Sequence, residues 1–422
     1  LWCVEESTPC IYNIPAIKME ESLAMKQFTN FSFHMYTEIV FGKGTQTQVA
    51  DLVKKHGGQK VLLVYGGGSI KKSGLHGAVT KSLNEGGVPF IEMGGVQPNP
   101  LRSLVDKGYK LALAEGVDFM LGVGGGSSID TAKGIALALA NGGDYWQFYN
   151  GTPAEKMAPV GVIHTIAAAG SETSRSSVLV DDATRQKKGF MWAPCRPVFA
   201  IMNPELTYTV PKYQTGAGAA DVMAHTVSRY FTSAASHLGD EYAEGTMRTV
   251  VKYGPVAVER PDDYEARAEL MLAGSFSHND VTGIGRDGAR GGEHGLESQL
   301  SGYYDTAHGA GLSVVMPAWL QYIADNGDAD QVARVARFGA KVFGADPDFA
   351  DVKATADEGL VRFRAWLRSI GMPLTLRELG VPKSDLEAVV GRCMDNWGGG
   401  PVPGFMPLGE DAVRTIFASV VE

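Results

Sequence analysis

The sequence predicts an α/β N-terminal domain built on a parallel sheet, followed by an all-helical C-terminal domain. Three features of the chain carry that prediction. Short apolar runs alternate with helix-length segments through the first half. Two of these runs stop at glycine triplets, and beyond about Leu206 the patterns turn long and helical, with few strand signals. Continuous apolar strands separated by helices are what a parallel sheet covered on both faces requires, because neither face of such a strand meets water.

Residues 1–24 carry Glu5, Glu6, Glu20 and Glu21 and no apolar stretch of signal-peptide length, so they read as an extension outside the fold. Patterned sequence begins near Met25. Residues 60–65 (KVLLVY) form a strand that stops at Gly66, Gly67 and Gly68, and a helix is expected over 69–84. A second strand over 88–93 ends in the turn around Pro98, Asn99 and Pro100, and 101–115 is helical. The run 117–123 (VDFMLGV) is again a buried strand, ending in Gly124, Gly125 and Gly126 before an alanine-rich helix over 131–140. Asn203 and Pro204 mark the boundary, since proline disfavours helix in the residue before it. The domains are thus expected at 25–205 and 206–422. Within the second, helices are predicted over 216–233, 242–253, 264–278, 309–324, 328–343 and 352–369.

The 422 residues suffice for two domains with buried cores. A net charge of -9 argues against nucleic acid and anionic membranes as partners, which reward clustered Lys and Arg. No apolar run approaches the roughly 20 residues that span a bilayer. Cys3, Cys10, Cys195 and Cys393 form no CxxC pair and suggest no disulfide framework, so a reducing, cytoplasmic setting fits best.

The sharpest motif is residues 121–130, LGVGGGSSID. A buried strand feeds a glycine turn that opens a helix, so free backbone N–H groups and the positive end of the helix dipole face one point. That is a site for a pyrophosphate; any Cβ there would hold the phosphate off the backbone. A tight turn without a ligand is the plainer reading, and three consecutive glycines after a buried strand weigh against it. The earlier turn offers Ser69, Lys71 and Lys72 and no carboxylate. An acidic side chain at the adenosine ribose would repel a 2′-phosphate, so its absence leans towards NADP(H), with NAD(H) open.

Asp221 and His225 stand four residues apart in a segment of high helical propensity, so both project from one helix face. Ala217, Gly218, Ala224 and Ser228 leave that face open to another element. His294 lies in a glycine-rich stretch, and His308 just before an apolar helix, where the dipole favours a neutral imidazole. Alone, each is more often a packed or capping residue. Together they offer one carboxylate and three imidazoles without a thiolate, which suits Fe2+ or Zn2+.

These residues, at these spacings, resemble the iron-containing (group III) alcohol dehydrogenase family, with the closest likeness to its NADP-dependent butanol dehydrogenases and aldehyde reductases. The likeness runs from about Met25 to the C-terminus. It rests on VLLVYGGGSIKKSGL, the VxPNP turn, GVGGGSSIDTAKGIA, AAAGSE, NPELTYTVPKYQTGAGAADVMAH and HGAGLSVVMPAW. The resemblance implies an N-terminal dinucleotide-binding domain, a helical domain and a metal site in the cleft between them. It implies metal ligands at Asp221, His225, His294 and His308, and a pyrophosphate at Gly125, Gly126 and Ser127. Gly67, Gly68 and Ser69 match the turn at the adenosine ribose, Thr165 a threonine beside the adenine, and Lys187 a lysine that reaches the ribose. Asn99 falls among the cofactor-side positions, and Asp130 near the nicotinamide.

The resemblance thus implies hydride transfer between nicotinamide and a small alcohol or aldehyde, with His308 and Asp130 at the reacting centre, in a homodimer. The chain departs from the pattern in three places. Ser298 stands where relatives carry a second loop histidine, Ala169 replaces a threonine, and the approach to His294 (RDGARGGE) lacks the usual tryptophan. Two alternatives follow from related folds and from these departures: an enzyme acting on a phosphorylated polyol, for which Arg286 and Arg290 would supply charge, or a cofactor-binding protein with impaired catalysis.

Overall fold

The structure, a computed structural model, describes residues 30–234, 236–286 and 292–422. The expected extension at 1–24 lies outside them. Eight strands form in chain order: β1 (Glu38–Phe41), β2 (Val61–Gly66), β3 (Phe90–Val96), β4 (Phe119–Gly124), β5 (Val160–His164), β6 (Ser176–Val180), β7 (Lys187–Met191) and β8 (Phe199–Met202). Six build one parallel sheet in the order β1-β8-β5-β4-β2-β3. β6 and β7 pair as a separate antiparallel hairpin.

The apolar runs are unbroken because successive side chains feed two different cores. Leu62, Val64, Met120 and Val162 point into one, under the helix Gly126–Ala140. Val61, Leu63, Leu121, Val123 and Ile163 point into the other. β3 lies outside β2 while β4 lies on its other side, so the order reverses between β2 and β4. In a parallel sheet that reversal opens a crevice at the carboxyl ends of the two strands. Both glycine turns sit there.

The second half is helical, as expected. Its long helices are Lys212–Tyr230, His237–Glu259, Tyr264–His278, Gly292–Tyr304, His308–Asn326, Ala329–Phe343 and Val352–Ser369. Lys212–Tyr230 runs through the middle and is buried on all sides from Thr215 onward. Its small residues make this possible. A Cβ on Gly218 would lie 2.1 Å from the Ala167 carbonyl oxygen, and one on Gly309 would lie 1.8 Å from that of Ala217. The first close approach seats the helix on the α/β half; the second lays the helix His308–Asn326 against it. The helix expected over 69–84 breaks at Gly74, whose φ of 81° separates Ser69–Lys72 from Leu75–Glu85.

A buried lysine ties the sheet domain to its hairpin. Lys133, fully buried on the helix Gly126–Ala140, donates to the carbonyl oxygens of Ser171 (2.7 Å), Ser174 (3.0 Å) and Ser176 (2.8 Å). Burial lowers its pKa to about 8, so the ammonium is still the dominant form at neutral pH. Methionine would fill the space but leave three carbonyls without a donor. Lys133→Met is expected to cost about 3 kcal/mol of stability, read as a fall in thermal melting temperature.

Candidate metal centre and cofactor cleft

β4 ends in Gly124, at φ 151°, and Gly125 caps the helix Gly126–Ala140. The glycines serve different purposes. A Cβ on Gly125 would meet Ile166 Cγ2 at 2.3 Å, so packing alone demands glycine there. On Gly126 the nearest atom would be Ala169 Cβ at 3.7 Å, an ordinary contact, so nothing in the protein forbids a side chain at this position. N–H groups of the first helical turn have no partner one turn earlier, so those of Gly126 and Ser127 lie outside the helix's own hydrogen bonding. Thr165 follows β5 and its N–H donates to the Gly124 carbonyl (3.1 Å), placing it beside the turn. At the end of β2, Gly67 and Gly68 have no atom within 4 Å of a built Cβ, and Gly68 has φ 136°. Ser69 opens the short helix that follows. Lys71 turns back over the Tyr65 ring, 5.1 Å from its centroid.

Asp130 lies one turn into the helix with both carboxylate oxygens engaged. Oδ1 accepts from Ser171 Oγ (2.6 Å) and Oδ2 from the Val178 N–H (3.0 Å). Burial pushes its pKa up, opposed by the Lys133 charge. It is thus a clamp on the hairpin β6–β7. That hairpin presents Lys187, whose Nζ donates to Ser301 Oγ (3.0 Å) and Asn99 Oδ1 (3.4 Å). Asn99, at φ 53°, in turn donates to Asp305 (2.9 Å). Asn99 and Lys187 therefore bridge from the α/β half to the helix Gly292–Tyr304 and the turn after it.

Across the cleft, Asp221, His294 and His308 come together, with ligand atoms all within 4.8 Å of one another. The helix Lys212–Tyr230 brings the carboxylate, Gly292–Tyr304 brings His294, and the first residue of His308–Asn326 brings the last imidazole. His225 lies beside this group rather than within it. Its Nε2 is 3.3 Å from Asp221 Oδ1, but its ring stacks on His278 at 4.0 Å. The reason is the helix itself: residues four apart share a face, while the half-buried His278 competes for the same imidazole. Burial, reinforced by His278 and His294, holds His225 well below the usual histidine pKa, so it is neutral and able to ligate.

The cluster fits a divalent cation by its own bonding. Asp221 Oδ1 and His294 Nε2 are buried without a hydrogen-bond partner. Orphaned buried polar atoms are rare and costly, and here they point at one place. Oxygen and imidazole donors without sulfur suit Fe2+ or Zn2+.

Residues that sequence reading did not single out complete the surroundings. Glu297 contacts His308 Nδ1, and Glu293 Oε1 lies 3.0 Å from His294 Nδ1. A carboxylate three residues after one histidine and eleven before the other gives no recognisable motif; only the packing of two helices joins them. Arg286 is buried and bound to Asp240 and to the Arg229 carbonyl, so its charge is used away from the cluster. Arg290 lies outside the described residues. Ser298 donates within its own helix, to the Gly295 carbonyl (3.4 Å).

A glycine-lined crevice at the switch point of a parallel sheet, faced by an acid–imidazole cluster from buried helices, is the arrangement of a metal-dependent, nicotinamide-linked dehydrogenase. The chain belongs to the iron-containing alcohol dehydrogenase family: residues 37–204 match the profile of the iron-containing alcohol dehydrogenases, and residues 215–421 that of the family's C-terminal region. It is 37% identical to NADH-dependent butanol dehydrogenase A of Clostridium acetobutylicum, over 92% of this chain and 98% of the relative. Identity to the NADPH-dependent aldehyde reductase YqhD of Escherichia coli is 31%, over 92% and 97%. The crystal structure of NADH-dependent butanol dehydrogenase A from Thermotoga maritima superposes with a TM-score of 0.88 at 36% identity, over 94% of this chain and 99% of that one. Among the described residues no helix is long and apolar enough to cross a membrane.

Proposed function

We propose that the protein interconverts small primary alcohols and aldehydes, using a nicotinamide cofactor in the switch-point crevice and one Fe2+ or Zn2+ held by Asp221, His225, His294 and His308. The observation that carries this is the convergence of Asp221, His294 and His308 within 4.8 Å, supported by the butanol dehydrogenase and aldehyde reductase relatives. His225 completes the set by a small turn of its ring away from His278. When bound, the cation supplies Lewis-acid polarisation of the carbonyl and the cofactor supplies or accepts the hydride. The chain's own residues do the rest. Gly126 and Ser127 seat the pyrophosphate, Thr165 borders the adenine side, Lys187 and Asn99 hold the ribose, and Asp130 fixes the hairpin that presents Lys187. Ser298, on the His294 face of its helix, offers a hydroxyl where relatives carry an imidazole.

The arginine disposition weighs against a phosphorylated substrate, since the buried Arg286 is paired with Asp240. The decisive experiment is an anaerobic assay of the metal-analysed protein with NADPH and NADH against aldehydes of graded chain length. Metal-dependent reduction of short aldehydes is expected; cofactor binding without turnover across the panel would favour an impaired homologue instead.

NADP(H) is the preferred cofactor in this reading, because the turn Gly67, Gly68 and Ser69 offers a hydroxyl and open space with no carboxylate. Gly67 is the informative position, for a built Cβ there meets nothing within 4 Å. Gly67→Asp is expected to lower kcat/KM with NADPH by about tenfold or more through repulsion of the 2′-phosphate, while sparing NADH. Equal losses with both cofactors would contradict the assignment.

A further inference from the structure

Two fully buried carboxylates stand directly behind the metal-binding imidazoles. Glu297 and Glu293 are both 0% exposed. Glu297 Oε2 contacts His308 Nδ1, and the same oxygen accepts from Ser301 Oγ at 3.1 Å. Ser301 is itself held by Lys187 Nζ at 3.0 Å. Glu293 Oε1 lies 3.0 Å from His294 Nδ1 and contacts Ser228 Oγ. Ser228 Oγ also lies 3.0 Å from His294 Nδ1, so that imidazole is gripped from two helices.

The two histidines thus share one feature. One ring nitrogen faces a carboxylate, hydrogen-bonded in His294 and in close contact in His308, and the other is left for the cluster: His308 Nε2 is 3.9 Å from Asp221 Oδ1, and His294 Nε2 is buried without a partner. A carboxylate on Nδ1 fixes the tautomer with the proton on that nitrogen, orients the ring and makes Nε2 a stronger donor to a metal. The charge count points the same way. Asp221, Glu293 and Glu297 bring three buried carboxylates to one small region, with the Lys187 ammonium acting on Glu297 and Arg229 lying near Glu293. Such a group is costly until a cation joins it. Glu293 also lies in the stretch where the chain departs from the family pattern.

We propose that Glu297 and Glu293 are positioning residues that set metal affinity by fixing the His308 and His294 imidazoles with Nε2 towards the cation. The inference rests on the metal centre proposed above. Its test is the Zn2+ affinity of the purified full chain, by competition with a chromogenic chelator, together with melting temperatures with and without Zn2+. Glu297→Gln and Glu293→Gln are each expected to weaken Zn2+ binding by about 10- to 100-fold. The metal-free melting temperature is the control and not the deciding readout, since each substitution also removes a charge that faces an imidazole. The stabilisation conferred by Zn2+ should shrink in step with affinity. A merely structural role would instead lower the metal-free melting temperature and leave affinity alone. Zn2+ affinity of both variants within twofold of the parent protein would overturn the proposal. Asp221→Asn separates the two levels: if it binds Zn2+ as tightly as the parent, the metal centre itself is misassigned.

Discussion

His308→Ala is expected to lower kcat/KM for aldehyde reduction by about three orders of magnitude or more, with the protein still folded. A Lewis acid at a polarised carbonyl contributes several kcal/mol to the transition state, and each ~1.4 kcal/mol is a factor of ten. His308 contributes to that in two ways. It supplies one of the ligand atoms within 4.8 Å, and it links the cluster to Glu297. Its removal leaves Glu297 buried with no imidazole to face. The fold should tolerate the change because His308 is the first residue of its helix, where alanine is a good helix former. Steady-state kinetics, metal content and circular dichroism on one preparation would check it. Parent-like turnover with metal bound would mean that His308 is not at the reacting centre.

The contrast between His308 and Glu297 shows what sequence can and cannot convey. The fold was legible where one local pattern dictates one structure. Continuous apolar runs gave β2, β3 and β4, and long 3.6-residue periodicity gave the helices Tyr264–His278 and Val352–Ser369 with their observed bounds. β1, β5 and β8 were missed because they are four or five residues long, too short to show a period. In β5 a glycine interrupts the run, required because a Cβ on Gly161 would lie 2.3 Å from the Phe199 ring. The hairpin β6–β7 was missed because it is mixed in polarity (SSVLV, KKGFM) and anchored by Asp130 and Lys133 from a distant helix.

At the site the same division holds. Asp221 and His225 were visible as a pair because helix geometry places residues four apart on one face. The carboxylates behind the imidazoles were not, since their meaning comes from tertiary packing. His278 is the clearest case. It ends a helix whose limits the sequence predicts, yet nothing local signals that its ring would stack on His225 and donate through Nδ1 to the Ala169 carbonyl at 2.6 Å.

Gly126→Ala should separate the demands of the fold from those of the cofactor. The backbone there is helical, and the added methyl would rest 3.7 Å from Ala169, so the protein has room for it. Alanine is tolerated at the first position of a helix, so the variant should be about as stable as the parent. The methyl would occupy the space in which the pyrophosphate must approach the first-turn N–H groups. Hydrogen bonds to a charged group contribute about 1.5–3 kcal/mol each. Losing one raises the cofactor Kd by about 10- to 100-fold, for NADPH and NADH alike, since both carry the same pyrophosphate. Gly125→Ala supplies the opposite signature. Its methyl would run into the Cγ2 methyl of Ile166 at 2.3 Å, a clash expected to cost about 1–3 kcal/mol of stability whatever ligand is present. Titration of cofactor fluorescence beside thermal melts of both variants would distinguish these effects. If Gly126→Ala bound both cofactors as tightly as the parent, the pyrophosphate would have to sit elsewhere, and the glycine triplet would be packing alone.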